Sequence, residues 1–258
     1  MTGNGSASAR WRELLEARAI PPEIRAAAPD NPYRHEPRRF AAPEQPPDTP
    51  SRRAGVALLG DGGTTLDVGC GAGAASLSLL PAATHLTGVD HAEDMLAAFG
   101  AECDRRGAGH RTVHGAWPQV APEAGGADVV VCHHVGYNTP EIGPFVAALH
   151  EAARRGVVVE LTAEHPTAWL DPLWSRFHGL DRPPAATYQD AVAVMQEVGL
   201  RPDVEHWDRP PRDDVRAQAG LACRRLCLPA DRLDEVAAAI AELPPRRGGI
   251  VTLHWKTR

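Results

Sequence analysis

Residues 65–80 read TLDVGCGAGAASLSLL, an apolar and β-branched run followed by glycines at 69, 71 and 73 and then by a helix-like run. A strand that turns into a helix within so few residues needs positive φ, which glycine adopts without a Cβ penalty. The helix starting near Ala72 then offers free N–H groups and its positive dipole end to an anionic group. The stretch therefore demands a strand–turn–helix unit. It does not select a ligand, because Gly69-x-Gly71-x-x-Ala74 also meets the loose dinucleotide fingerprint. No lysine follows the glycines, which excludes a Walker loop.

The rest of the chain repeats the same alternation. Strands are expected at 65–68, 85–89, 112–114, 128–132 and 157–161, and helices at 74–80, 92–99 and 140–155. The last of these helices has Thr139 as N-cap, Pro140 at its first position and Gly156 after its end. A further helix, 188–198, follows a Thr187 cap and stops at Gly199. Strand–helix alternation means a parallel sheet covered on both faces, with ligands outside the carboxyl ends of the strands. The tail holds strands at 203–207 and 250–255, separated by an amphipathic helix carrying Leu233, Val236, Ala237, Ile240 and Leu243.

Before the alternation, the first ten residues are small and polar and read as a disordered tail. A helix is expected over 11–20, with Trp11, Leu14, Leu15 and Ala19 on one face. A proline-thick extended stretch occupies 21–50. Residues 1–50 thus read as a tail and cap or lid, and 51–258 as one α/β domain. Residues 163–186 and 209–248 are insertions on the substrate side or at an oligomer contact, with a homodimer left open. Arg34, His35 and Arg39 form a solvated basic face or, on a folded-back lid, would meet a carboxylate.

Composition narrows the function. Lys256 is the only lysine, while Ala, Gly, Pro and Arg are inflated together, as in a GC-rich bacterial genome. A net charge of −6 argues against a nucleic-acid partner. The five cysteines (Cys70, Cys103, Cys132, Cys223, Cys227) form no CxxC and no zinc spacing, so no metal is expected and a reducing compartment fits. No leader or membrane span is legible, and the expectation is a cytoplasmic protein.

Two acids favour one ligand. Asp67 would repel a pyrophosphate lodged against the same loop, but it suits a ligand bearing both a carboxylate and an ammonium group, as the methionine end of S-adenosylmethionine does. Asp90, closing LTGVD, is placed to grip both ribose hydroxyls. That role serves a nicotinamide cofactor equally, and an N-cap for the helix at Ala92 is its structural alternative.

Residues 65–90 resemble the first two motifs of class I S-adenosylmethionine-dependent methyltransferases, an acid-x-Gly-x-Gly-x-Gly turn and a strand-ending acid. The order of elements from about 52 to 208, then a final strand, is similar to that family over roughly two thirds of the chain. The resemblance implies a Rossmann-like seven-stranded, mostly parallel sheet with helices on both faces and an antiparallel last strand. It also implies S-adenosylmethionine as methyl donor and S-adenosylhomocysteine as product.

Carried over by position, Asp67 and the turn Gly69, Cys70, Gly71 and Gly73 hold the methionine moiety, and Asp90 with His91 holds the ribose. Ala116 stands where many members place an acid for the adenine amino group, so Trp117 is expected to stack on the adenine, with core packing as its alternative. His133 would lie beside the sulfonium. His134 and His165 are the expected general bases, since histidine exchanges protons near neutral pH. Tyr137, Asn138, Trp169, Trp174 and His178 are expected to shape an aromatic pocket for a small organic acceptor, methylated on oxygen rather than nitrogen; the alternative is that the aromatics of 163–186 close a small satellite core and the histidines cap or contact backbone. A nicotinamide-dependent oxidoreductase is the first rival, opposed by Asp67 and by the lack of a Tyr-x-x-x-Lys pair. A non-catalytic module that binds the same cofactor is the second.

Overall fold

The computed structural model describes residues 5–209, 215–244 and 248–257, without the side chains of residues 38 and 39. The strands are β1 (Gly63–Val68), β2 (Ala83–Asp90), β3 (His110–His114), β4 (Ala127–His133), β5 (Ala153–Thr162), β6 (Asp203–Asp208) and β7 (Gly249–Lys256). They form one sheet in the order β3-β2-β1-β4-β5-β7-β6. The first five pair in parallel, and β7 runs antiparallel between β5 and β6. This is the Rossmann-like arrangement expected.

Alternation within the strands fills two cores. Val129, Val131 and Val158 join the cluster that also holds Leu59, Leu77, Leu86 and Phe99. Val130, Cys132 and Val157 point the other way, toward Trp11, Phe145 and Val194. Helices α3 (Pro50–Leu59), α4 (Ala74–Leu77) and α5 (Glu93–Arg105) cover the first face. On the second lie α1 (Ala7–Ala17), α7 (Ile142–Ala152) and α9 (Tyr188–Glu197). The short helices α2 (Pro22–Ala26) and α6 (Ala121–Ala124) are connectors. Burying a Leu- or Val-sized side chain contributes roughly 1.5–3 kcal/mol, and both faces of the central strands are lined with them.

A third core sits apart. Helices α8 (Asp171–His178), α10 (Val215–Arg225) and α11 (Leu233–Ala241) bury Leu173, Trp174, Ala222, Leu226, Val236 and Ile240 together. Segments 170–180 and 219–243 thus share one small core, the cap, joined by Ile20 and Ile24 from the N-terminal segment.

Two expectations, for the N-terminal tail and for the helix over 140–155, are corrected. Residues 7–10 are helical, with Ser6 capping α1 by accepting a hydrogen bond from the Ala9 N–H at 3.1 Å, while residues 1–4 lie outside the described residues. Trp11 belongs to the main core, where its Nε1 donates to the Thr139 carbonyl at 2.9 Å. The helix expected over 140–155 is shorter: α7 begins at Ile142, Ala153–Arg155 already pair in the sheet, and Gly156 stops nothing. Gly156 is a strand glycine whose missing side chain admits neighbours, because a Cβ there would lie 2.7 Å from the Trp255 carbonyl oxygen.

Candidate functional site

The glycine turn leaves the carboxyl end of β1 with φ of +70° at Gly69, +52° at Gly71 and +87° at Gly73. At Gly69 the need is double, since a Cβ would also press inside van der Waals contact of Val135 Cγ2. Above the turn runs the N-terminal segment. Ala41 pairs with Gly73 in an antiparallel bridge, and a Cβ on Gly71 would lie 3.1 Å from Phe40 Cβ. Arg106 holds the segment there by donating to the Ala42 and Pro43 carbonyls, each at 2.9 Å.

Two carboxylates brace the turn from below. Asp67 is buried, and its Oδ2 accepts from the Ser76 N–H at 3.2 Å and the Ser76 hydroxyl at 2.6 Å. Its Oδ1 is buried with no partner among the described residues. Burial pushes its pKa up to about 6, the Ser76 bonds oppose that, and the Asp90 charge adds to it. Asp90 accepts from the Gly71 N–H through Oδ2 and the Ala92 N–H through Oδ1, both at 3.0 Å. A carboxylate has about four acceptor sites, so each oxygen keeps capacity for a further donor. Cys70 is buried, and burial raises its thiol well above the ordinary range, so it packs rather than attacks. His91 is exposed on the rim, with Nδ1 3.5 Å from Asp90 Oδ1.

On the adjacent strands a polar group gathers at the same edge. His133 ends β4, and its Nε2 is buried with no partner among the described residues. Burial lowers its pKa to about 4, against the pull of Glu160. His134 follows in left-handed backbone, φ +62°, and its Nε2 lies 2.9 Å from Glu160 Oε1. Arg209 Nη2 donates to the same oxygen at 3.0 Å. Tyr137 donates to the Thr162 carbonyl at 2.5 Å and stacks edge-on against His165, ring centroids 5.2 Å apart. Burial, reinforced by Arg18 and Arg225, lowers the His165 pKa to about 4.

Residues 65–156 match the model of a family described as "Methyltransferase domain". That span contains the turn, both carboxylates, His133 and His134. Over that span the chain is similar to a methyltransferase domain.

For this chain, the resemblance at residues 65–90 implies S-adenosylmethionine as methyl donor and S-adenosylhomocysteine as product. Solved structures share its fold. The YcgJ protein from Bacillus subtilis is similar at a TM-score of 0.57 and 15% identity, covering 81% of this chain and 98% of its own. Magnesium protoporphyrin IX methyltransferase from Synechocystis PCC 6803, solved with bound S-adenosylhomocysteine, is similar at a TM-score of 0.51 and 17% identity, covering 81% and 82%. A comparison with curated proteins finds no match.

The residues at the turn fit that cofactor. Asp67 Oδ1 is a buried acceptor lacking a donor among the described residues, as an ammonium would supply. Other expected residues go elsewhere. Trp117 is buried in the main core and donates to the Phe145 carbonyl at 3.2 Å, which corrects the adenine-stacking expectation. Ala116 is exposed beside it, as is Asn138. Trp174 lies within the cap core, and His178 is spent on the Leu226 carbonyl at 2.7 Å, its ring 4.9 Å from that indole. Both are therefore cap packing rather than pocket wall. Trp169 is half-buried against the same cluster. Arg34 is exposed, His35 contacts Arg225 at 3.0 Å, and the Arg39 side chain lies outside the described residues.

Sequence reasoning missed Glu160, Arg209, Ser51 and Phe40. Only Glu160 carried a legible signal, as a charge inside the apolar strand run VVVELT. Among the described residues no group of His, Cys, Asp and Glu is arranged to hold a metal. Nor is any helix there long and apolar enough to cross a membrane.

Proposed function

We propose that the chain methylates a small organic acceptor, on oxygen in preference to nitrogen, at the edge where β1, β4 and β5 end. The observation that carries this reading is the partnerless Asp67 Oδ1 beneath a three-glycine turn, with His134 at the end of the neighbouring strand. When bound, S-adenosylmethionine supplies a methyl group already activated on a sulfonium. The protein's work is then positioning, exclusion of water and removal of a proton where the acceptor carries one.

Each step falls to named groups. Asp67 and the turn backbone bind the amino-acid end, and Asp90 holds the ribose with the capacity its two backbone bonds leave. Phe40 and Ala41 close the turn from above and keep water off it. His134 receives the acceptor's proton, with His165 and Tyr137 forming the neighbouring wall. Burial and two arginines hold the His165 pKa near 4, so it is a poor base at neutral pH. The overall negative charge favours a small molecule over nucleic acid as partner.

Calorimetric titration with S-adenosylmethionine, S-adenosylhomocysteine and NADH tests the reading. Micromolar binding of both adenosyl ligands with none for NADH is expected. Binding of NADH alone returns the turn to an oxidoreductase.

A further inference from the structure

Arginines from three separate segments gather where the cap meets the N-terminal segment. Arg18 follows α1 and Arg25 lies in α2, while Arg182 follows α8 and Arg225 ends α10. Arg182 donates to the Arg18 and Ala19 carbonyls and lies over the Trp174 ring, its Cζ 4.7 Å from the centroid. Arg25 and Arg225 share the ring of Tyr33, their Cζ atoms 5.5 and 5.7 Å from its centroid. Tyr33 is itself 41% exposed, so the face between these arginines is open to a ligand.

Two walls of the candidate site lead to this cluster. From the glycine turn, Phe40 lies against Gly71 and packs edge-on on His35, ring centroids 5.4 Å apart. Arg225 Nη2 then donates to His35 Nε2 at 3.0 Å. From the end of β5, Thr162 bonds Tyr137, whose ring packs on His165. Arg18 and Arg225 both act on the His165 ring and help to lower its pKa. Contacts therefore run from the cluster to the turn on one side and to the strand end on the other.

The charge is not balanced from within. Arg18 pairs with Asp171, Nη1 to Oδ2 at 3.0 Å. Arg182 donates only to carbonyls, and neither it nor Arg25 forms an ion pair among the described residues. Burial and the Arg18 charge lower the Arg182 pKa, with Asp171 and Tyr33 opposing them. The Nε atoms of Arg18 and Arg182 are buried with no partner among the described residues. Like charges held together cost stability, the more so where water is partly excluded, and an anion seated among them offsets that cost.

We infer that Arg18, Arg25, Arg182 and Arg225, around Tyr33, form a recognition subsite for an anionic oxygen group, a carboxylate or a phosphate, carried by the small acceptor. This rests on the methyl-transfer reading above and narrows the substrate class to acids. A guanidinium fork matches both anions with paired hydrogen bonds, and the exposed Tyr33 ring offers a face to the acceptor's body. A chain of net charge −6 repels anions in general, so this local excess is what draws the acid to the site. Charge thus fixes the far end of the acceptor, and the atom to be methylated is left to the strand ends.

Calorimetric titration of the full-length protein with benzoate, phenyl phosphate and neutral benzamide, each with and without saturating S-adenosylhomocysteine, tests the subsite. At least one anion should bind about tenfold or more tightly than benzamide, and the tighter of the two names the group. R182M and R225M should each weaken that binding about 10–100-fold while S-adenosylhomocysteine affinity stays within twofold. Arg25 is exposed and its side chain contacts only the Tyr33 ring among the described residues, so R25M repeats the test with little risk to the fold. Equal affinity for benzamide and both anions overturns the subsite. So does an equal loss in R201M, whose guanidinium bonds the Gln196 and Leu200 carbonyls near the start of β5. Absence of S-adenosylhomocysteine binding would instead sink the methyl-transfer reading, and the anion titrations report independently of it.

Discussion

Asp67 accepts both the N–H and the hydroxyl of Ser76, so one residue of α4 supplies two donors to a carboxylate at the end of β1. The second oxygen receives none. The acid thereby anchors the turn while remaining under-satisfied, which is costly in the absence of a cation.

That cost has a pH signature. Asp67 ionises at about 6 rather than 3.8 in the fold, so its contribution to stability is fully present below pH 3.8, is lost as pH rises to about 6 and is constant above. Charging it costs about 3 kcal/mol. The stability difference between D67N and wild type should move in the variant's favour by up to that amount between pH 4 and pH 7, read from urea unfolding. Wild-type affinity for S-adenosylmethionine should tighten over the same rise, and a flat titration would show that no cation meets Asp67.

Asp90 offers a sharper test of ribose binding. Charge-assisted hydrogen bonds are worth about 1.5–3 kcal/mol each, so D90A should weaken S-adenosylmethionine binding by at least tenfold in calorimetry. Circular dichroism must show a folded variant, because Gly71 and Ala92 each lose an acceptor. Unchanged affinity removes Asp90 from the cofactor site.

For Trp117 the expected outcome is the reverse. W117F should leave S-adenosylmethionine affinity within twofold while lowering stability by about 1 kcal/mol, the ordinary worth of its bond to the Phe145 carbonyl. A tenfold loss of affinity without loss of stability would return the indole to the adenine.

The turn itself is probed by a double-mutant cycle. G69A meets both an unfavourable φ and Val135, and should lose well over 1 kcal/mol. Adding V135A should recover the steric share and leave roughly 1–2 kcal/mol for the backbone. Strict additivity in urea unfolding would show that Val135 does not crowd the turn.

The chain's alternation of short apolar runs with amphipathic ones was enough to determine a parallel sheet, and DVGCGAG followed by GVD was enough to place a glycine turn and two acids at its carboxyl edge. These are local properties, since period, turn chemistry and strand-ending acids are all written within residues 65–90. Trp117 and His178 were misplaced because a side chain's direction depends on what packs behind it, and that is set by α7 for one and α10 for the other. Gly156 reads as a helix stop until β7 lies against it. Glu160, Ser51, His134 and Arg209 stand far apart in the chain, and only the order β4-β5-β7-β6, with α3 laid across it, brings them within hydrogen-bond reach. No periodicity encodes that meeting; the sheet topology decides it.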